Sequence, residues 1–101
     1  MKANIEANLN LEEIRNKVLP ILKQMGVIRS SLFGSYARGE NKEDSDVDIL
    51  VDLPRGKSLF DLVELQMKLE EALGRKIDVV TYRSLHPLLR DRILAEQIQI
   101  L

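Results

Sequence analysis

The run Asp46-Val47-Asp48-Ile49-Leu50-Val51-Asp52 admits few placements in a fold. Its hydrophobic period is two, the signature of a strand. Ile49, Val51 and Leu53 then point to one side, and Asp46, Asp48 and Asp52 to the other. Aspartate is disfavoured in strands, and like charges held close together repel. Two carboxylates repeated on one strand face are therefore costly unless a cation lies between them. Just upstream, Leu32-Phe33 breaks at Gly34-Ser35. Gly34 lets the backbone approach an oxyanion with no Cβ in the way. Ser35 offers a hydroxyl and an N–H, and a helical turn over Tyr36-Ala37-Arg38 would aim its first amides at a phosphate. On its own, Gly-Ser is equally an ordinary strand-to-helix turn. Beside the carboxylates it reads as half of a nucleotide-and-metal site.

The rest of the chain supplies a scaffold for that stretch. Residues 1–9 read as a loosely ordered lead-in. Asn10 with Glu13 forms a capping-box pattern. Leu11, Ile14, Val18, Leu22 and Met25 follow at helical spacing up to Gly26. Pro20 inside that pattern predicts a kink or a split near residues 16–20. Strands are predicted over 27–33, 47–53 and 75–82, with an exposed polar loop at 40–45 and a turn at 54–57. Ser58 and Asp61 open a second helix, with an apolar stripe of Leu59, Leu62, Val63, Leu65, Leu69 and Leu73 that ends at Gly74. Pro87 suits the first turn of a last helix, and Ile98, Ile100 and Leu101 suit a short closing strand. The 101 residues are read as one α/β (α+β) domain, a small mixed sheet with helices mainly on one face. Ile49, Val51, Ile77 and Val79 face the helices. Asp46, Asp48 and Asp78 share the open face, which becomes the working surface.

Three strand acids on one face strengthen the case for a metal. Hard oxygen donors with open positions suit Mg²⁺ or Mn²⁺. Two such ions about 3.5–4 Å apart can hold the attacking and leaving oxygens of a phosphoryl-type displacement. The plainer alternative places Asp46 and Asp48 at a solvated loop end and Asp78 on a strand edge. Composition closes other routes. There is no Cys, which excludes disulfides, thiol catalysis and Cys-based zinc sites, and a single His cannot build a His-rich centre. Net charge is −1, so the field of a non-specific nucleic-acid binder is missing and no direct nucleic-acid binding is expected. No apolar run approaches about 18 residues, so no membrane partner is expected and the cytoplasm is the default.

Gly34-Ser35, ten intervening residues, Asp46-x-Asp48 and a later strand acid at Asp78 together resemble the signature of the DNA polymerase beta-type nucleotidyltransferase superfamily. The wording FGSYARGE…SDVDILVD on so short a chain is similar to the minimal nucleotidyltransferases, the MntA-type antitoxins paired with HEPN-domain toxins. The resemblance covers roughly residues 11–101. It implies a palm-like fold and transfer of a nucleoside monophosphate, AMP from ATP, to an acceptor hydroxyl, a tyrosine of the HEPN toxin, with release of pyrophosphate. It further implies that Asp46 and Asp48 bind both metals and that Asp78 completes one metal site. Gly34 and Ser35 would bind the triphosphate, and Arg38 matches a commonly basic position. A non-catalytic module that neutralises its toxin by covering it is the competing reading. His86, Tyr36, Tyr82, Arg55, Lys57 and the polar residues around Lys68 to Arg75 are assigned structural or solvated roles. Leu88, Leu89, Ile93 and Leu94 exceed what so small a core can bury, which makes the last helix a candidate contact for a second copy or a partner.

Overall fold

The structure, a computed structural model, describes residues 10–101. The expectation for residues 1–9 lies outside the described residues.

Helix α1 spans Leu11–Gln24. The Asn10 side chain accepts from the Glu13 N–H at 2.8 Å, and the Glu13 carboxylate accepts from the Asn10 N–H at 3.4 Å. Ile14, Val18 and Leu22 are fully buried. The helix runs through Pro20 without splitting. Pro20 sits on the exposed side, where water can satisfy the carbonyl that loses its donor. Gly26, at φ +78°, turns the chain away. Strand β1 (Arg29–Phe33) follows, and α2 (Gly34–Arg38) begins directly at its end. The helical turn expected from Tyr36 thus starts two residues earlier and takes in Gly34-Ser35.

Strand β2 (Val47–Asp52) pairs antiparallel with β1, with Leu32 opposite Ile49 and Phe33 opposite Asp48. Helix α3 (Leu59–Leu73) opens on the predicted Ser58/Asp61 capping box and ends at Gly74, φ +67°. It carries the chain across to β3 (Ile77–Thr81), which lies parallel to β2. Parallel neighbours require such a crossover. A 3-10 turn (Tyr82–Ser84), α4 (Pro87–Glu96) and β4 (Ile98–Gln99) complete the chain. The sheet order is β3-β2-β1-β4, with β4 antiparallel to β1. The α/β class and the mixed four-stranded sheet therefore match the expectation. Among the described residues no helix is long and apolar enough to cross a membrane.

The two faces of the sheet are built differently. Val47, Ile49, Val51 and Ile77 pack under α1 and α3 against Ile14, Val18, Leu22, Leu65 and Leu69, all at zero exposure. On the other face Leu50, Tyr82 and Leu85 form a smaller cluster, joined by Phe33, Val80, Ile93 and Leu94. The 3-10 turn and α4 thus cover part of a face that the sequence reading leaves open. The end near the acids stays uncovered, as does the opposite end of the strands near Asp52.

Candidate active site

Asp48 is the second residue of β2, in register with Phe33 of β1 and Asp78 of β3. Neighbouring strands lie about 4.8 Å apart, so Asp48 and Asp78 emerge side by side on one face. Asp46 stands two residues before Asp48, just ahead of the strand. Asp46 and Asp78 are exposed and Asp48 is half-buried. Burial pushes the Asp48 carboxyl up to about 6, and the negative charges of Asp78 and then Asp46 push the same way, while Arg38 opposes them. The three acids therefore share one electrostatic neighbourhood, as the sequence predicts.

Gly34 is fixed by space as well as by conformation. Its φ is +74°, and a Cβ added there would meet Asp48 Oδ2 at 2.2 Å and Asp48 Cγ at 3.1 Å. The first residue of α2 is thus pressed against the carboxylate of β2. Ser35 comes next, half-buried. Phe33, as the residue before α2, gives it no side-chain cap, so the first amides of the turn stay open beside the acids.

Arg38 lies within electrostatic reach of Asp48 but is already engaged. Its Nε donates to Glu40 Oε1 at 2.9 Å, and one of its terminal nitrogens lies 3.5 Å from Glu96 of α4. The hydrogen bond to Glu40, followed by the negative charges of Glu40 and Glu96, holds its guanidinium above the usual arginine range against the opposing effect of desolvation. A cleft of about 210 Å³ opens here, between Phe33, Gly34 and Arg38 on one side and Leu89, Ile93 and Glu96 on the other.

Sequence reasoning misses the part played by Arg75, which it places on a polar helix face. Arg75 lies beyond Gly74, outside α3, and that position is the available signal. Its Nη1 donates to the Tyr36 hydroxyl at 2.5 Å and to the Ser45 carbonyl at 3.4 Å. It thereby joins α2, which carries Gly34 and Ser35, to the segment that leads into Asp46. The polar loop has its own turn, with the Lys42 N–H donating to Ser45 Oγ at 2.7 Å. Tyr36 and Tyr82 are both buried, and the Tyr82 hydroxyl donates to Ser31 Oγ at 3.0 Å. His86 caps α4, its Nδ1 accepting from the Leu88 N–H at 3.1 Å. These contacts agree with the structural roles read from sequence.

Among the described residues no group of three His, Cys, Asp or Glu side chains converges on one metal position. The acids form an open set of hard oxygen donors. Mg²⁺ suits such a set, because it is commonly held by one or two carboxylates together with substrate phosphates and water.

Comparison with known proteins gives the chain a family and a fold. The profile of the family described as nucleotidyltransferase domain matches residues 15–100. A Methanocaldococcus jannaschii protein assigned to the protein adenylyltransferases is 58% identical over 93 residues, 92% of this chain and 100% of its own. The protein adenylyltransferase MntA of Thermococcus cleftensis is 42% identical over 98 residues, 93% of this chain and 99% of its own. Among solved structures, a minimal nucleotidyltransferase superposes with a TM-score of 0.79 at 41% identity, covering 92% of this chain and 98% of that one. A toxin-antitoxin with AMP-PNP gives 0.75 at 29% identity, covering 86% and 72%. A complex of a tri-AMPylated Shewanella oneidensis HEPN toxin with MNT antitoxin gives 0.69 at 26% identity, covering 89% and 71%.

Proposed function

The chain belongs to the nucleotidyltransferase domain family, and from that premise we propose that it moves AMP from ATP to a tyrosine hydroxyl of a partner HEPN toxin, acting as that toxin's antitoxin. The observation that carries this reading is the interlock of Gly34 with Asp48 beside Asp78. It sets the first turn of α2 directly against a carboxylate pair, which supports a phosphate-binding role for that turn. Solved relatives hold AMP-PNP in one case and an AMPylated HEPN toxin in another, which supports the choice of nucleotide and of acceptor.

In this reading the triphosphate lies along Gly34 and Ser35. The glycine permits close approach and the Ser35 hydroxyl donates to a phosphate oxygen. Asp46 and Asp48, with Asp78 completing the set, would hold Mg²⁺ or Mn²⁺ together with the triphosphate. Metal ions bound there would supply neutralisation of the phosphate charge. The acceptor oxygen attacks the α-phosphorus, the bond to the bridging oxygen breaks, and pyrophosphate leaves. Asp78, the exposed acid on the sheet edge, takes the hydroxyl proton. Arg38 reaches the phosphates after exchanging Glu40 and Glu96 for them. The solved relative in complex with a HEPN toxin supports a partner that presents the hydroxyl. A reaction that consumes ATP favours the cytoplasm.

Labelled ATP, Mg²⁺ and a cognate HEPN toxin test the proposal. The toxin should acquire label, and the double variant Asp46→Asn, Asp48→Asn should transfer none. Label retained in that variant overturns the mechanism. A double variant that transfers no label yet still protects cells replaces it with neutralisation by steric cover.

A further inference from the structure

A cavity of about 610 Å³ lies away from the acids. Asp46, Asp48 and Asp78 stand at the starts of β2 and β3. This cavity opens at the far ends of the same strands, between the turn at 52–58 and the 3-10 turn. From Asp48 to Asp52 is four residues along one strand, roughly 13 Å at about 3.3 Å each. Crevices at the carboxyl ends of parallel strands are where open α/β sheets commonly take ligands.

Two segments bring positive charge to this cavity. Arg55 and Lys57 come from the turn after β2, and Arg83 comes from the 3-10 turn after β3. Sequence reading assigns Arg55 and Lys57 to a solvated turn. The fold sets them around one cavity with Arg83, which no motif singles out. Neither Arg55 nor Arg83 has an ion-pair or hydrogen-bond partner among the described residues. The Ser58 N–H first, against desolvation, and then the Ser58 hydroxyl and the Lys57 charge hold the Asp61 carboxyl below the usual range, and among the described residues Lys57 forms no ion pair. With Arg55, Lys57 and Arg83 against the one carboxylate of Asp52, the lining carries an excess of positive charge that suits an anion. The start of α3 is not the attraction, because the Asp61 carboxylate, which accepts from the Ser58 N–H at 2.7 Å, already sets a negative charge there. The side-chain cations must hold the anion.

The walls favour more than a bare phosphate. Leu53, Leu59 and Leu62 line the cavity, and Leu59 is 73% exposed. The volume falls in the range of small-molecule sites, roughly 300–1,000 Å³. Asp52 lines the cavity and brings an acceptor carboxylate, the group that binds ribose hydroxyls in dinucleotide folds. We propose that the cavity between the 52–58 turn and the 3-10 turn is a second, non-catalytic site for a nucleoside monophosphate. Arg55, Lys57 and Arg83 hold the phosphate, Asp52 holds the ribose, and the base lies on the leucines.

Amide NMR on the whole chain, in magnesium-free buffer with chelator, reads this site apart from the catalytic one. AMP, inorganic phosphate and adenosine are titrated separately. AMP should shift the amides of Gly56, Ser58, Thr81 and Ser84 saturably, and bind at least tenfold tighter than either phosphate or adenosine. The double variant Arg55→Ala, Arg83→Ala alters two exposed side chains. It should keep its melting temperature and weaken AMP by tenfold or more at these amides. Shifts confined to residues near Gly34 and Asp48, equal affinity for AMP and phosphate, or unchanged binding in the double variant each overturns the proposal. The result does not depend on transfer activity, so it stands or falls apart from the adenylyltransferase reading.

Discussion

Strand β2 presents two faces with opposite tasks. Val47, Ile49 and Val51 are wholly buried beneath α1 and α3. Asp48, Leu50 and Asp52 alternate with them on the other side. There only Leu50 is sealed, under Tyr82 and Leu85, while the two acids flank the sealed patch. One face is a continuous dry core. The other is covered at its centre and left open at both ends, and charge collects at those ends. Burial is the main source of stability, so one face can hold the fold together while the other tolerates repulsion between Asp48, Asp78 and Asp46. The division teaches where a substitution should register: in stability on the first face and in chemistry on the second.

The hardest test of that division is Gly34→Ala. The new Cβ would overlap Asp48 Oδ2 and must turn the carboxylate away. A displacement of about 1 Å at a reacting centre can lower the rate on the order of 100-fold. The positive φ adds a stability loss of only about 1–2 kcal/mol. The expected result is a folded protein with transfer reduced on the order of 100-fold. Rates and thermal unfolding measured on one sample check it. A Gly34→Ala protein with full transfer would break the comparison, because the interlock would then carry no chemistry.

The opposite face should answer in the opposite way. Leu65 is fully buried on α3 against the sheet. Leu65→Ala removes packing and leaves a cavity, which costs about 2–5 kcal/mol. For a domain this small that is a large share of a total stability of roughly 5–15 kcal/mol. Urea unfolding should show the loss. The fraction that remains folded should transfer AMP at the original rate with saturating ATP. A rate that falls with stability would mean that the two faces are coupled.

Much of this division is legible in the amino-acid sequence. The two-residue period of β2 names the buried face and the acidic one, and Asn10/Glu13 and Ser58/Asp61 mark both helix starts because caps are local chemistry. Spacing singles out Gly34, Ser35, Asp46, Asp48 and Asp78, and the fold brings them to one end of the sheet. Other features are not legible, because they depend on residues far apart in the chain. Arg75 meets Tyr36 across 39 positions. The partial cover of the acidic face needs the 3-10 turn, where Tyr82 reaches Ser31. Helix α4 shows no clear apolar stripe, since Leu88 is 86% exposed while Ile93 and Leu94 pack inward. The broad stripe expected on α3 is likewise too generous. Only Leu65, Leu69 and Leu73 are buried there, and Phe60, Val63 and Met67 remain exposed.

The smallest effect is also the one that states the trade most directly. In the metal-free protein the Asp48 carboxyl is raised to about 6 from an ordinary value of 3.8, first by burial and then by Asp78 and Asp46. Between those values the unfolded chain releases the proton while the folded protein still holds it. Stability therefore falls as pH rises through this window and is lowest, for this group, above about 6. Because Asp48 is half-exposed, solvent screens much of the effect, and about 1 kcal/mol is expected. Asp48→Asn removes the charge in a side chain of nearly the same shape. With chelator present, the variant should be more stable than the natural protein by about 1 kcal/mol at pH 7, with the difference shrinking towards pH 4. Urea midpoints at the two pH values measure both quantities. An advantage that is absent at pH 7, or larger at pH 4, would mean that Asp48 is not held against its own charge. A site whose charges oppose one another in the free protein regains that stability when an opposite charge reaches it. A fully satisfied carboxylate cluster would give up that gain.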